Sequence, residues 1–276
     1  MKTKRTRSTS AKPTRRWVVK AGSQMVCSGG PLLLRAWMSQ VAQLRKQFAI
    51  EIIWVTSGAI ASAAERTNFN RKNRELPEKQ ALSAIGQPMV MDLYNLALNA
   101  TGLLGAQVLL TAGDTQDKVR RKNLQNTLEK LLEWQTVPIL NENDAVATEE
   151  IRFGDNDSLS ALIAQMMNAE RLVILTDVEG LYDSDPRKNP RARLIHHKKD
   201  ISQADLDKVA KNTTSERGTG GMYSKLLAAQ NALKSGIITH LMRGDLPQNL
   251  LALASGEEIG TEIGNGQKKT AKRAHK

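Results

Sequence analysis

The segment best suited to chemistry is Gly218-Thr219-Gly220-Gly221-Met222-Tyr223-Ser224-Lys225-Leu226. Its glycines let the backbone wrap a phosphate, and the helix expected to follow presents its positive end to that group. Lys225 falls about one turn into this helix, within reach of a terminal phosphoryl group. The plainer alternative is a glycine-rich hinge. No Gly-x-x-x-x-Gly-Lys-[Ser/Thr] pattern occurs, so this is not a Walker A loop.

Other segments carry complementary chemistry. Lys20 ends an apolar run and precedes Ala21-Gly22, which places an ammonium where a ligand can approach the backbone. Val55-Thr56-Ser57-Gly58-Ala59-Ile60-Ala61 reads as a strand, a small-residue turn and a helix start. Such a turn suits a carboxylate or phosphate, or is a tight turn with Ser57 as its cap. Asn141-Glu142-Asn143-Asp144 places four polar side chains in a row, enough to bind an ammonium group, although a structural turn also uses such residues. In Gly154-Asp155-Asn156-Asp157-Ser158, Asp157 either caps the next helix or orients nearby lysines, and Asn156 is a substrate ligand in the second reading. Thr176 to Arg187 reads as a pocket wall with Tyr182 and Pro186 as flat faces, or as a charged surface loop. His196, His197 and His240 lack a third partner at metal-ligand spacing, and Cys27 has no evident base, so neither a metal site nor a cysteine nucleophile is expected.

These segments need a scaffold. Short β-branched runs at Trp17–Lys20, Ile50–Ser57, Ala106–Thr111, Val137–Asn141, Leu172–Asp177 and Ile237–Met242 read as buried strands. Helical spacing separates them at Leu32–Phe48, Pro77–Leu98, Asp117–Trp134, Ser158–Ala169, Ser202–Lys211 and Tyr223–Lys234. The alternation predicts an α/β fold with a mostly parallel sheet. Ligands then bind beyond the carboxyl ends of the strands, where the polar segments lie. Residues 65 to 76 read as an exposed charged loop near that edge.

Composition narrows the function classes. The chain has 276 residues, 40% hydrophobic, which is enough for a sizeable core. Aromatics are 4%, which argues against a base-stacking nucleic-acid surface. A single cysteine excludes an intrachain disulfide. The net charge of +12 sits in two acid-free tails, residues 1–16 and 265–276, leaving residues 17–264 formally neutral. No apolar run reaches membrane-spanning length and no secretory pattern is present, so the expected location is cytoplasmic.

Taken together, the segments resemble the amino acid kinase family over residues 17 to about 264. Besides the pieces above, Lys79-Gln80-Ala81-Leu82 through Ile85-Gly86-Gln87 matches in order and spacing. The specific marker is the run Asn141-Glu142-Asn143-Asp144-Ala145-Val146-Ala147, typical of members that phosphorylate glutamate. The resemblance implies a three-layer αβα sandwich around a sheet of about eight mostly parallel strands. It implies an N-terminal lobe, about 17–165, for the amino acid and a C-terminal lobe, about 166–264, for the nucleotide, between disordered basic tails. The implied reaction is ATP-dependent phosphorylation of the L-glutamate side-chain carboxylate to L-glutamate 5-phosphate, the first step of proline synthesis. By the same resemblance Lys20, Lys225 and Asp157 are catalytic, and Ser57, Asp144 and Asn156 bind glutamate. Lys20, Thr176, Asp177, Thr219, Gly220, Gly221, Met222, Tyr223, Ser224 and Lys225 bind nucleotide. Mg²⁺ is expected on the phosphates, with no dedicated protein metal site. Feedback inhibition by proline and assembly as a homo-oligomer, dimer or tetramer, are also implied, with no membrane and no nucleic-acid partner.

The sequence departs from the family pattern at Gln24, where a small hydroxyl residue is usual, and at Ser62-Ala63, where Ala-Gly is usual. Many glutamate-phosphorylating members carry a C-terminal PUA domain, whereas a basic tail follows residue 264 here, so a single-domain form is expected. Two other readings share the same residues: a kinase of this fold with another acceptor, and a weak or inactive kinase that binds nucleic acid or a partner through its tails.

Overall fold

The computed structural model describes residues 15–69, 74–147, 156–212 and 221–265. Among the described residues eight strands form one sheet: β1 (Arg15–Ala21), β2 (Ile50–Val55), β3 (Gly105–Leu110), β4 (Val137–Glu142), β5 (Arg171–Thr176), β6 (His197–Lys198), β7 (Ile238–Arg243) and β8 (Thr261–Ile263). The helices are α1 (Ser23–Phe48), α2 (Ala59–Arg66), α3 (Leu76–Asn99), α4 (Ala112–Gln116), α5 (Lys118–Glu133), α6 (Asn156–Met166), α7 (Gln203–Asn212), α8 (Met222–Leu233) and α9 (Asn249–Ser255).

The strand order is β3-β4-β2-β1-β5-β7-β8-β6. Pairs from β3 across to β7 are parallel, β8 runs antiparallel to β7, and β6 pairs in parallel with β8. The chain leaves central β1 towards β2 on one side and later returns as β5 on the other. That reversal opens a crevice at the carboxyl ends of the middle strands.

Both faces of the sheet are covered, which is why the strands read as continuous apolar runs. Alternate residues of one strand serve opposite layers. Val18, Ile53, Leu140, Leu172 and Ile174 join one core with Leu128 of α5, Leu159 of α6 and Leu226 of α8. Trp17, Val19, Trp54, Val173 and Leu175 join the other with Trp37 of α1, Tyr94 of α3 and Leu250 of α9. The expected three-layer αβα sandwich is the observed architecture.

Several boundaries differ from the sequence reading. Arg15 and Arg16 belong to β1 and not to the N-terminal tail: Arg15 pairs with Glu170 at 2.7 Å, and Arg16 reaches Glu51 and Glu129 at 2.9 Å each. These two cations are therefore paired within the folded body. α1 begins at Ser23, well before Leu32, and runs across a kink at Gly30, whose φ of +55° suits glycine immediately before Pro31. The expected exposed loop is shorter than 65–76, because Glu65 and Arg66 complete α2 and Leu76 opens α3.

Candidate active site

A cavity of about 440 Å³ lies at the carboxyl ends of β1, β2, β4 and β5. Lys20 closes the apolar run of β1, and Ala21-Gly22 follows. A Cβ at Gly22 would stand in ordinary contact with Lys20 Nζ, at 3.6 Å. Asp157 lies in the first turn of α6 and Lys225 in the first turn of α8. Lys20 Nζ stands 2.6 Å from Asp157 Oδ1, and Lys225 Nζ donates to Asp157 Oδ2 at 3.2 Å. Ser224 Oγ also donates to Oδ2, at 2.8 Å.

This triad is buried. Asp157 is 0% exposed, Lys20 4% and Lys225 7%. Burial alone pushes the Asp157 carboxyl up. The Lys20 and Lys225 ammoniums, with hydrogen bonds from Lys20 and Ser224, outweigh it and hold the group below the usual aspartate range. Asp157 is an anionic strut between two cations and does not spend its carboxylate on capping α6.

The other end of the cavity is organised around Asn156. Its Nδ2 donates to the Thr56 carbonyl at 2.8 Å and to Asn141 Oδ1 at 2.7 Å, which uses both amide hydrogens. Asn141 Oδ1 also accepts the Glu142 backbone N–H at 3.0 Å. Asn156 Oδ1 is buried with no hydrogen-bond partner among the described residues, leaving an acceptor in a cavity that Asp144 also lines. An amide oxygen and a carboxylate suit an ammonium group. Ser57 lines the cavity but does not cap α2, whose N-cap is Gly58 at φ +99° with no side-chain bond.

Supporting residues hold these turns. The Tyr94 hydroxyl accepts Trp54 Nε1–H at 2.8 Å and shares a 2.9 Å hydrogen bond with Thr56 Oγ1. Gln87 Nε2 donates to the Glu142 carbonyl at 3.2 Å, and Gln80 Nε2 to the Ala147 carbonyl at 3.2 Å. Gly86 of α3 packs directly on the backbone of Ala59, leaving no room for a Cβ.

Of the residues expected at the nucleotide, Lys20, Thr176, Asp177 and Lys225 line the cavity. Asp177 pairs with Arg187 at 2.7 Å. Gly221 caps α8, Met222 and Tyr223 pack against the core, and Thr219 and Gly220 lie outside the described residues. Tyr182 and Pro186 are not among the lining residues, and the Tyr182 hydroxyl donates to Glu179 at 3.0 Å. Gln24 lines the cavity beside Ser23. Sequence reasoning misses Arg74 as a lining residue, along with Tyr94, whose signal is indistinguishable from ordinary core spacing.

Residues 15–242 match the amino acid kinase family. The chain belongs to that family. Curated relatives are glutamate 5-kinases. The one from Hydrogenovibrio crunogenus is 41% identical over 93% of this chain and 69% of its own length. Those from Nitrosococcus oceani and Meiothermus ruber are each 44% identical, over 91% and 94% of this chain and 67% and 69% of their own lengths. Among solved structures, an isopentenyl phosphate kinase superposes with a TM-score of 0.62 at 18% identity, covering 90% of this chain and 100% of that one. The isopentenyl phosphate kinase of T. acidophilum, solved as a product complex, gives 0.60 at 16% identity, over 90% and 99%. At these identities the likeness is one of fold. Family membership thus joins a shared scaffold to the Lys20–Asp157–Lys225 triad found at its sheet edge.

Proposed function

We propose that this chain transfers the γ-phosphoryl group of ATP to the side-chain carboxylate of L-glutamate, giving ADP and L-glutamate 5-phosphate, the first step of proline synthesis. The observation that carries the reading is the pair Lys20 and Lys225, which is held by buried Asp157 and lines one cavity with Ser57, Asp144 and Asn156. The glutamate 5-kinase relatives supply the substrate.

In this reading Asp144 and Asn156 Oδ1 take the substrate ammonium, and Ser57 lies along the bound amino acid. The glutamate γ-carboxylate points at Lys20 and Lys225. One carboxylate oxygen forms a bond to the γ-phosphorus, while the bond from that phosphorus to the β–γ bridging oxygen breaks and its electron pair leaves on ADP. A carboxylate is already deprotonated near neutral pH, so no general base is needed. The obstacle is repulsion between two anions, and the remedy is positioning with charge neutralisation. Asp157 holds the two ammoniums together at a fixed spacing, against their mutual repulsion. Thr176, Asp177 and the segment Thr219 to Lys225 are assigned to the nucleotide. The N-terminal lobe, about 17–165, would hold the amino acid and the C-terminal lobe, about 166–264, the nucleotide.

Mg²⁺ would screen the phosphates. Among the described residues no group of three His, Cys, Asp or Glu could hold a metal ion, and Asp157 is occupied by two lysines. In this reading the ion is carried by phosphate oxygens and water. Among the described residues no helix is long and apolar enough to cross a membrane. A cytoplasmic location, proline as inhibitor and a homo-oligomeric assembly complete the reading.

The test is ATP- and Mg²⁺-dependent acyl-phosphate formation, trapped as hydroxamate, with L-glutamate against a panel of amino acids and small acids. A glutamate-selective signal is expected. A signal only with another acceptor would overturn the substrate, and silence across the panel would overturn the activity.

A further inference from the structure

Among the described residues, three cations line the cavity: Lys20, Lys225 and Arg74. The two lysines converge on Asp157 at the phosphoryl end. Arg74 stands elsewhere, in the connection between α2 and α3, and lines the cavity together with Ile60 and Ala61 of α2. Its Nη2 donates to the Phe69 carbonyl at 3.3 Å. Its Nε is buried with no hydrogen-bond partner among the described residues. A buried N–H on a charged guanidinium is costly when unsatisfied, and guanidinium geometry matches a carboxylate fork.

L-Glutamate carries two carboxylates and one ammonium. The reacting carboxylate belongs beside Lys20 and Lys225, and the ammonium beside Asp144 and Asn156 Oδ1. The second carboxylate then lacks a counter-charge among these groups, and the other ionisable lining residues near β4, Glu142 and Asp144, are carboxyls. We propose that Arg74 binds the substrate α-carboxylate and so selects an α-amino acid over a simple acid or amine. This rests on the glutamate kinase reading. Arg74 is a binding residue and takes no part in phosphoryl transfer.

The test compares L-glutamate with L-isoglutamine, which keeps the ammonium and the γ-carboxylate but neutralises the α-carboxylate, in the wild type, Arg74→Gln and Arg74→Lys. The hydroxamate assay is run alongside calorimetric titration of each ligand in the absence of ATP. In the wild type, isoglutamine should lose about 10- to 100-fold in kcat/KM, the scale of one charge-assisted fork. Arg74→Gln should raise the KM for L-glutamate by the same factor, leave the KM for ATP within about threefold, and leave isoglutamine unaffected, because the two deletions remove one interaction. Arg74→Lys should fall between, since an ammonium lacks the fork. Full discrimination retained by Arg74→Gln, or none in the wild type, would overturn the assignment. A wild type that turns over no glutamate would instead fail the kinase reading, and the titrations would then decide Arg74 on their own.

Discussion

Lys20 and Asp157 meet at 2.6 Å although one lies near the end of the first strand and the other in the first turn of the sixth helix. Lys225 completes the group from the far side of the same carboxylate. Asp157→Asn would leave two buried ammoniums around a neutral amide. Breaking a buried ion cluster in this way costs about 3–5 kcal/mol. The variant should show a large loss of kcat together with a clear drop in Tm. An unchanged Tm would mean that the lysines relax into solvent and that Asp157 is no strut.

The same carboxylate sets an acid limit. Its folded-state pKa lies below the ordinary value of 3.8, so its stabilising contribution is fully present above that value. It is lost as pH falls through the lower folded-state value. Denaturant titrations from pH 5 downwards should show a steeper loss in the wild type than in Asp157→Asn.

Lys225→Ala removes one of the two cations assigned to the transferring group. Loss of such a group costs about 10²–10³ in kcat, and the KM for glutamate should move by less than about threefold. Steady-state kinetics with the hydroxamate trap separate the two parameters. An unchanged kcat would make Lys225 structural.

Gly86→Ala tests whether α3 positions the amino-acid end. A Cβ at Gly86 would collide with the Ala59 backbone at the start of α2. Overpacking of this kind costs about 1–3 kcal/mol. The displaced α2 should carry Ser57 and Gly58 with it, raising the KM for glutamate more than that for ATP. A glutamate KM equal to the wild-type value would uncouple α3 from the site.

His240 provides a second pH dependence, remote from the cavity. Burial depresses its pKa, and Arg171 adds to the effect, while a hydrogen bond to Glu262 at 3.2 Å opposes it. A buried base with a depressed pKa stabilises the fold fully above its ordinary value of 6.5 and loses that contribution as pH falls. Tm should decline as pH drops below 6.5, and His240→Leu should flatten the decline. An equal slope in both proteins would remove His240 as the cause.

The long elements are legible because burial on both faces writes continuous β-branched runs such as Ile50–Val55, and amphipathic helices write a 3.6-residue period. β6 and β8 are not, because two and three residues hold no period. The start of α1 is hidden because Gly30-Pro31 looks like a helix boundary, whereas packing holds both arms of the kink. Lys20, Asn156, Asp157 and Lys225 are visible as candidates from their positions beside turns and helix starts. Arg74 is not, because in sequence it is one more charge in a polar stretch.

Local chemistry by itself determined the long strands and helices, where backbone can approach a ligand, and which side chains could carry charge there. These depend on neighbouring residues along the chain. Only the tertiary structure decided which charges share a cavity. Electrostatic coupling depends on separation in space and on burial, and β1, α6 and α8 become neighbours only when the sheet is assembled. The two lysines therefore acquire their common carboxylate, and Arg74 its place in the cavity, from the fold.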